Sequence, residues 1–189
     1  MNYSIHSIVR TRSFGDGVSE LLYKRPRGLL YKPGAKVNLV DHGEYYIASG
    51  ASEAWTRILI DDIYINSPTI RIAQEGTNDF PKLIGENPDT LVFIAGGLGI
   101  APCLAYCSNF PSDKLAAIIY RHKGKGVNNE WLNSYQNTKH IIDMSNALKD
   151  IPIDKKNKYY LCNDNKQENT LVKDYLLNQG VKGQLIYTN

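Results

Sequence analysis

The stretch GGLGIAP, residues 96–102, decides how this sequence is interpreted, because it joins two different local patterns. The run LVFIA (91–95) before it is unbroken and apolar, which is typical of a strand buried on both faces. After it, residues 101–109 are predicted to be helical, with Pro102 in the first turn. Glycines at such a strand-to-helix turn let backbone amides approach a diphosphate, although they also close turns for packing alone. The context favours nucleotide binding.

Beyond residue 90 the chain alternates apolar runs with helical patterns. Helices are predicted near 101–109 and 129–135, and a last one has Leu171 on its apolar stripe and Asn169 or Thr170 as its N-cap. The predicted strands are LVFIA (91–95), LAAIIY (115–120), HIIDM (140–144), YYLC (159–162) and QLIYT (184–188). This alternation predicts an α/β doubly wound parallel sheet, forming a nucleotide-binding domain over residues 89–189.

The first half has a different pattern, with short β-prone runs separated by turn residues. The runs include YSIHSIVRTRS (3–13), ELLYK (20–24), AKVNLV (35–40), EYYIAS (44–49), TRILID (56–61), DIYIN (62–66) and TIRIAQ (69–74). Such spacing predicts a small antiparallel β-barrel over residues 1–88. The stretch 81–88 contains prolines and a glycine and is predicted to be the connection into the second half.

Composition excludes several classes of protein. The 189 residues are 42% hydrophobic and 22% charged, which argues against disorder, and three cysteines without metal-ligand spacing argue against disulfide or zinc scaffolds. No apolar run approaches a membrane span and the N-terminus has no signal-peptide core, so we expect a cytoplasmic protein. Residues 1–40 carry seven Lys or Arg against two acidic residues, which suggests an acidic partner or phosphate as well as an ordinary solvated surface. Nucleic-acid binding ranks last, because no interleaved aromatic residues accompany this charge.

Three motifs resemble the ferredoxin:NADP reductase family, which pairs a flavin-binding β-barrel with a nucleotide-binding domain. GGLGIAP is similar to its nicotinamide-nucleotide turn, and IIYRH (118–122) to its second strand, which ends in an aromatic residue and an arginine. YLCNDN (160–165) resembles its strand ending in Cys-Gly-Pro. The resemblance covers most of residues 91–187 and implies a compact, divergent member.

The resemblance implies a site for the pyridine dinucleotide. Cys162 would approach the nicotinamide, where hydride moves, as the catalytic residue, although a buried strand cysteine is an equal interpretation. Asn163 and Asp164 replace the family's smaller residues and would crowd a nicotinamide ring. The implied cofactor-binding residues are Gly96, Gly97, Gly99, Pro102 and Arg121.

The basic run RHKGK (121–125) bears on the choice of dinucleotide. Positive charge from Arg121 and Lys123 at the end of the second parallel strand favours a 2′-phosphate, hence NADP over NAD. A solvated surface loop is the alternative, and His122 fits that loop better than it fits a catalytic base.

The barrel half resembles the family's flavin motif, Arg-x-Tyr-Ser, less completely. Tyr45 falls on the tyrosine, but Gly43 stands at the arginine and Tyr46 at the serine. Nothing in residues 50–80 resembles the family's second phosphate-binding turn, so tight FAD binding in the usual manner is not expected. FMN, loosely held FAD or no flavin stay open, with Arg57, Arg71 or the basic N-terminal residues as substitute cations.

The implied flavin-binding residues are Tyr45, Ser49 and Tyr187, the last resembling the family's C-terminal aromatic. Strand tyrosines without a ligand are the simpler alternative. The whole pattern predicts a flavin-dependent NAD(P)H oxidoreductase that passes electrons from NADPH to a small molecule or an acidic protein of the ferredoxin or flavodoxin type. The alternative is a non-catalytic binding, regulatory or structural subunit that has lost the flavin clamps.

Overall fold

The computed structural model describes residues 3–15, 17–27, 31, 34–50, 52–61, 67–78, 90–109, 114–122, 132, 138–141 and 143–188. Its antiparallel strands are β1 (Ser4–Gly15), β2 (Val18–Lys24), β3 (Ala35–Leu39), β4 (Gly43–Tyr46), β5 (Trp55–Asp61) and β6 (Thr69–Asn78). The parallel strands are β7 (Leu91–Gly96), β8 (Leu115–Arg121), β9 (Thr138–Ile141), β10 (Lys158–Asn163) and β11 (Ile186–Thr188). The helices are α1 (Ala101–Cys107), α2 (Met144–Ala147) and α3 (Lys166–Asn178).

The first sheet curls into a small barrel. Its strand order is β4-β3-β6-β1-β2-β5, with antiparallel neighbours. A bridge between Ile47 and Ile58 joins the chain after β4 to β5, so the two edges of the sheet meet. Such closure leaves fewer unpaired backbone groups at the edges. The predicted antiparallel β-barrel is confirmed.

The barrel core follows the period-2 pattern of its strands. In β3 the side chains of Ala35, Val37 and Leu39 are buried, whereas Lys36 and Asn38 are only half-buried. Because successive side chains point to opposite faces of a strand, every second residue enters the barrel. This alternation is the signal that the sequence carries.

The second sheet is parallel throughout, in the order β11-β10-β7-β8-β9. All six residues of its central strand, β7, are buried, as an unbroken apolar run predicts. Helix α1 packs into the same core. The predicted parallel α/β half is therefore confirmed.

Some predicted details of this half are wrong. The N-cap of α3 is Asn165, whose side chain accepts from the backbone N–H of Gln167 at 2.9 Å, rather than Asn169 or Thr170. Leu171 is exposed. The predicted strand at 140–144 begins earlier, at Thr138, and Asp143 instead caps α2.

Several predictions fall outside the described residues: the strand 62–66, most of the helix near 129–135, the connection 81–88 and the boundary between residues 88 and 89. No helix within the described ranges has the length and apolar character to cross a membrane.

One hydrophobic cluster joins the two sheets. It contains Phe14, Ala48 and Leu59 of the barrel half together with Phe93 and Ile100 of the parallel half. Leu98, in the glycine-rich turn, packs against both this shared cluster and the barrel core. The turn after β7 therefore lies beside the barrel.

Candidate functional site

The strand order creates a switch point at the carboxyl ends of the parallel strands. From the central strand β7 the chain continues to β8 on one side, and it later returns to β10 on the other side. Ligands of open α/β sheets bind in the crevice where the strand order reverses in this way. Three residues lie side by side across this edge, Arg121 beside Gly96 and Gly96 beside Asn163.

Packing within the chain explains two glycines of the turn. Gly97 has a φ of +54°, in the left-handed region that favours glycine. A Cβ at Gly99 would overlap the carbonyl oxygen of Cys162, so the turn approaches the end of β10 backbone to backbone. The turn continues as a 3-10 helix, Gly97–Ile100, into α1. Pro102 lies in the first turn of α1, as predicted.

Arg121 crosses the edge of the sheet and binds two carboxylates. Its Nε donates to Oε2 of Glu168 at 2.7 Å, and its Nη2 donates to Oδ1 of Asp164 at 2.8 Å. We call these three residues the edge cluster. A Cβ at Gly96 would lie 2.8 Å from the Arg121 Nη2, so glycine at this position gives the guanidinium room to cross.

The edge cluster places a negative charge beside the glycine-rich turn. A Cβ at Gly97 would overlap the Asp164 carboxylate, so this acid lies directly against the turn. The positive charge of Arg121 is therefore paired with two acids, and the preference for NADP that residues 121–125 predict stays a prediction. The side chains of Arg121, Asp164 and Glu168 are 13%, 48% and 21% exposed. The cluster is thus anchored inside and open to solvent on its acidic side.

Asn163 leaves a buried acceptor at the same edge. The residue is 2% exposed, and its Nδ2 donates to Oδ1 of Asn169 at 2.8 Å. Its own Oδ1 has no hydrogen-bond partner among the described residues and lies 2.7 Å from the position of a Cβ at Gly96. A buried acceptor without a donor costs about 1–3 kcal/mol, so this atom favours a donor from water or a ligand.

Cys162 is a packed thiol in this structure. It is fully buried in the shared cluster, and burial raises the pKa of the thiol well above its usual range. A thiol in such surroundings stays protonated and unreactive. The interpretation of Cys162 as a buried strand residue describes its environment in the structure. A role for Cys162 in hydride transfer stays a prediction.

The predicted flavin residues do not converge on one place. Tyr45 packs in the barrel core, where its hydroxyl donates to the carbonyl of His42 at 3.0 Å. The Ser49 hydroxyl accepts from the backbone N–H of Arg57 at 3.1 Å. Tyr187 packs against the shared cluster and stacks on Tyr160, with ring centroids 4.9 Å apart. Tyr45 and Tyr187 therefore belong to different cores.

Sequence reasoning missed Tyr46, the next residue on β4. It is half-buried against the shared cluster, as Tyr187 is, and the Lys36 Nζ lies 5.1 Å from its ring centroid. Strand alternation carries the signal: when one tyrosine of the pair enters the barrel, its neighbour points away from it.

Two of the substitute cations for a flavin diphosphate, Arg57 and Arg71, are already paired with acids. The Arg57 Nε lies 3.1 Å from Oε2 of the buried Glu20, and Arg71 forms an ion pair with Asp41. These residues do not fit an FAD diphosphate held by arginine in the family's usual manner. The strength of FAD binding stays a prediction.

The loop after β8 is described only at its start. The backbone N–H of His122 donates to the carbonyl of Ile141 at 3.0 Å, and its ring packs against Tyr120 at a centroid distance of 5.1 Å. Lys123 lies outside the described residues.

No family model and no curated sequence match this chain. Solved structures, by contrast, match this chain over its full length. A ferredoxin NADP+ reductase from Neisseria gonorrhoeae, described with bound FAD and NADP, matches with a TM-score of 0.74 and 14% identity over 100% of this chain and 98% of that one. The chain has the ferredoxin:NADP reductase fold.

Two further structures with the reductase fold agree. The FAD/NAD binding domain of nitric oxide dioxygenase from Vibrio cholerae O1 biovar El Tor has a TM-score of 0.77 at 13% identity, covering 100% of this chain and 98% of that chain. Phthalate dioxygenase reductase has a TM-score of 0.75 at 14% identity, covering 100% of this chain and 68% of that one. The likeness at such identities is one of fold, and at that level the family resemblance is confirmed.

Proposed function

We propose that this chain is a pyridine-nucleotide-dependent oxidoreductase that uses a weakly held, exchangeable flavin. The observation that carries the proposal is the position of the glycine-rich turn, at the switch point of the parallel sheet and beside the barrel. A ligand at this crevice touches both halves, as transfer between two cofactors requires. The proposal includes a flavin-side domain at residues 1–88 and a nucleotide-side domain at 89–189.

Residues at the switch point would bind the nucleotide. Gly97 and Gly99 would offer backbone amides, and Asn163 would accept a hydrogen bond through its unpaired Oδ1. Cys162, directly below this edge, would shape the floor of the crevice as a neutral, buried side chain. The chain's part is to bind and orient the nucleotide.

On the flavin side, aromatic packing would replace the diphosphate clamp. Tyr46 and Tyr187 both border the shared cluster, whereas Arg57 and Arg71 are bound to acids of the chain itself. A flavin, when bound, accepts hydride from a reduced nicotinamide and passes electrons on singly or in pairs. Each absent charge-assisted hydrogen bond forfeits about 1.5–3 kcal/mol of affinity, so the flavin is expected to exchange with solution.

An acidic protein of the ferredoxin or flavodoxin type is the proposed acceptor. Its support is the exposed side of the barrel with Arg10, Arg12 and Arg71, of which Arg10 and Arg71 also form ion pairs with Glu20 and Asp41. Such charge would act mainly on the rate of encounter and would weaken with salt.

Comparing flavins with and without phosphates tests the proposal most directly. The purified chain should carry little flavin and should oxidise NADH or NADPH when riboflavin, FMN or FAD is added, with KM values within about threefold of one another, since Arg57 and Arg71 are bound to acids of the chain itself. FAD that copurifies at one per chain, or an FAD preference above about tenfold, would contradict an exchangeable flavin.

A tyrosine pair provides the matched control. Replacing Tyr46 by Ala should raise the flavin KM, because the variant loses an aromatic surface at the seam between the halves. The control is Tyr3, an exposed residue directly before β1. Replacing it by Ala removes the same side chain and should leave the flavin KM unchanged. Equal effects of the two variants would place the flavin elsewhere.

A second candidate function is a non-catalytic binding or regulatory subunit. The specific observation in its favour is the Asp164 carboxylate against Gly97, where a diphosphate would meet negative charge. Titration calorimetry separates the candidates: the absence of heat with NADH, NADPH and ADP-ribose would support the second and overturn the first.

A further inference from the structure

The edge cluster has an unequal number of charges. Arg121 contributes one positive charge, and Asp164 and Glu168 contribute two negative charges, so these three side chains sum to one negative charge. Both acids reach the same guanidinium from β10 and α3, across the end of the central strand. A ligand that enters the switch point therefore meets a net negative cluster.

Arg121 lies at the end of β8, so the charge of the edge cluster bears on the choice between NAD and NADP. In doubly wound folds an acid at the ribose end accepts from free hydroxyls of NAD, whereas an arginine there accommodates the 2′-phosphate of NADP. Here the arginine and the acids occupy one ion-paired unit. The Nε–H and one N–H of Nη2 of Arg121 are donated to the two carboxylates, whose combined charge exceeds that of the guanidinium.

We propose that Asp164 and Glu168, by holding Arg121, make the site select NAD(H) against NADP(H). The inference rests on the proposed function and reverses the preference for NADP that residues 121–125 predict. A 2′-phosphate bound beside Arg121 would lie next to the two carboxylates that hold this arginine, whereas a ribose bearing only hydroxyls can donate hydrogen bonds to them. Asp164 and Glu168 are thus specificity-determining residues.

The backbone supports a fixed position for the edge cluster. Gly96 leaves the space through which the guanidinium crosses, and Gly99 sets the turn directly against β10, from whose end Asp164 projects. Glu168 lies in the first turn of α3, and Asn165 caps that helix. Arg121 and Glu168 are therefore held by β8 and α3, and Asp164 lies in the short connection between β10 and α3.

Calorimetric titration with NAD+ and NADP+ tests the inference without any flavin. The wild-type chain should bind NAD+ at least about tenfold more tightly than NADP+, and Asp164→Asn and Glu168→Gln should each lower that ratio by about tenfold, the order expected for removing one unit charge near a phosphate at the protein surface. The matched control is Asp174→Asn, the same charge change on an exposed residue of α3, about 9 Å further along the helix. It should leave the ratio unchanged.

The outcomes separate the inference from the function on which it rests. Binding of both nucleotides with equal affinity, a wild-type preference for NADP+, or ratios that shift no more than in Asp174→Asn would overturn the charge selection alone. Binding of neither nucleotide to the wild type or to any variant would overturn the proposed function and the selection with it. Circular dichroism of each variant confirms that the titrated protein is folded.

Discussion

The two halves of the molecule each contain an arginine–carboxylate cluster, and the clusters are built in opposite ways. In the barrel, Glu20 is fully buried and binds two arginines, with its Oε1 2.6 Å from the Arg10 Nη2 and its Oε2 3.1 Å from the Arg57 Nε. At the edge of the parallel sheet one largely buried arginine, Arg121, binds two more exposed acids. The acid of the barrel cluster is fully buried, whereas both acids of the edge cluster are partly exposed to solvent.

This difference separates a structural cluster from a candidate functional one. A buried carboxylate needs its partners because an unpaired charge in the interior is very unfavourable, so the barrel cluster concerns folding. Asp164 is 48% exposed, so its pair with Arg121 contributes little to stability and its carboxylate faces solvent at the switch point. Both clusters bind arginines that the sequence alone puts forward for phosphates.

Removing the buried acid is expected to have the largest effect. Glu20→Ala should lower the free energy of unfolding by about 3–5 kcal/mol, because Arg57 loses its buried partner. Urea denaturation measures the loss. The control is Glu44→Ala, whose side chain is 51% exposed and lies 3.5 Å from Lys36, and which should cost less than about 1 kcal/mol. Similar losses in both variants would remove the distinction between buried and exposed acids.

The next effect tests the backbone contact beneath the edge cluster. Gly99→Ala should destabilise the fold by about 1–3 kcal/mol or more, since its Cβ would overlap a backbone oxygen that cannot rotate away. Gly183→Ala is the matched control, because its nearest neighbour is a flexible leucine side chain 3.8 Å away. Thermal unfolding of the pair reports the difference. A Gly99 variant as stable as the Gly183 variant would contradict the close approach of the turn to β10.

A smaller effect is expected when the edge cluster loses one acid. Asp164→Asn should cost less than about 1 kcal/mol of folding free energy, because the carboxylate is 48% exposed and Arg121 keeps Glu168. The nucleotide ratio should nevertheless change. A loss as large as that of Glu20→Ala would show that the edge cluster is structural too.

The last expected effect depends on pH and concerns the buried thiols. Burial raises the pKa of Cys162 and of Cys103 above the ordinary value of 9.0. The unfolded chain therefore releases these protons as the pH rises above about 9 while the native chain keeps them, so stability present at lower pH is lost. Urea midpoints at pH 8 and pH 10 measure the loss, and Cys162→Ala should reduce it.

Thiol labelling of the native chain checks the same assignment. Iodoacetamide at pH 8 should modify the half-buried Cys107 and leave Cys103 and Cys162 intact. Rapid modification of Cys162 would instead indicate an accessible thiol beside the switch point.

Local patterns predicted the elements of the fold well. LVFIA is a buried central strand, AKVNL alternates into the barrel, and GGLGIAP forms the turn between β7 and α1. Each of these signals is local, because burial on one or both faces of a strand or helix produces a hydrophobic pattern that is visible within a few residues. The N-cap of α3 was predicted four or five residues too late, because Asn165, Asn169 and Thr170 are all residue types that can cap a helix.

The candidate site was predictable only in part. Gly97 and Gly99 were recognised from the motif, but their structural reasons, the Asp164 carboxylate and the carbonyl of Cys162, lie more than 60 residues away in sequence. Arg121 was recognised as a cation, whereas its partners lie 43 and 47 residues further along the chain. Pairing at such separations depends on strand order, which no local pattern encodes.

By itself the sequence determined where strands, turns and helices form, and hence that a small barrel precedes a parallel sheet. The tertiary structure decided which charges remain available. Folding brings the ends of β7, β8 and β10 together, and at that edge Arg121 meets Asp164 and Glu168 before it can meet a ligand. The physical reason is that hydrophobic periodicity is read within one segment, whereas electrostatic pairing is set by distances between segments that only the folded chain fixes.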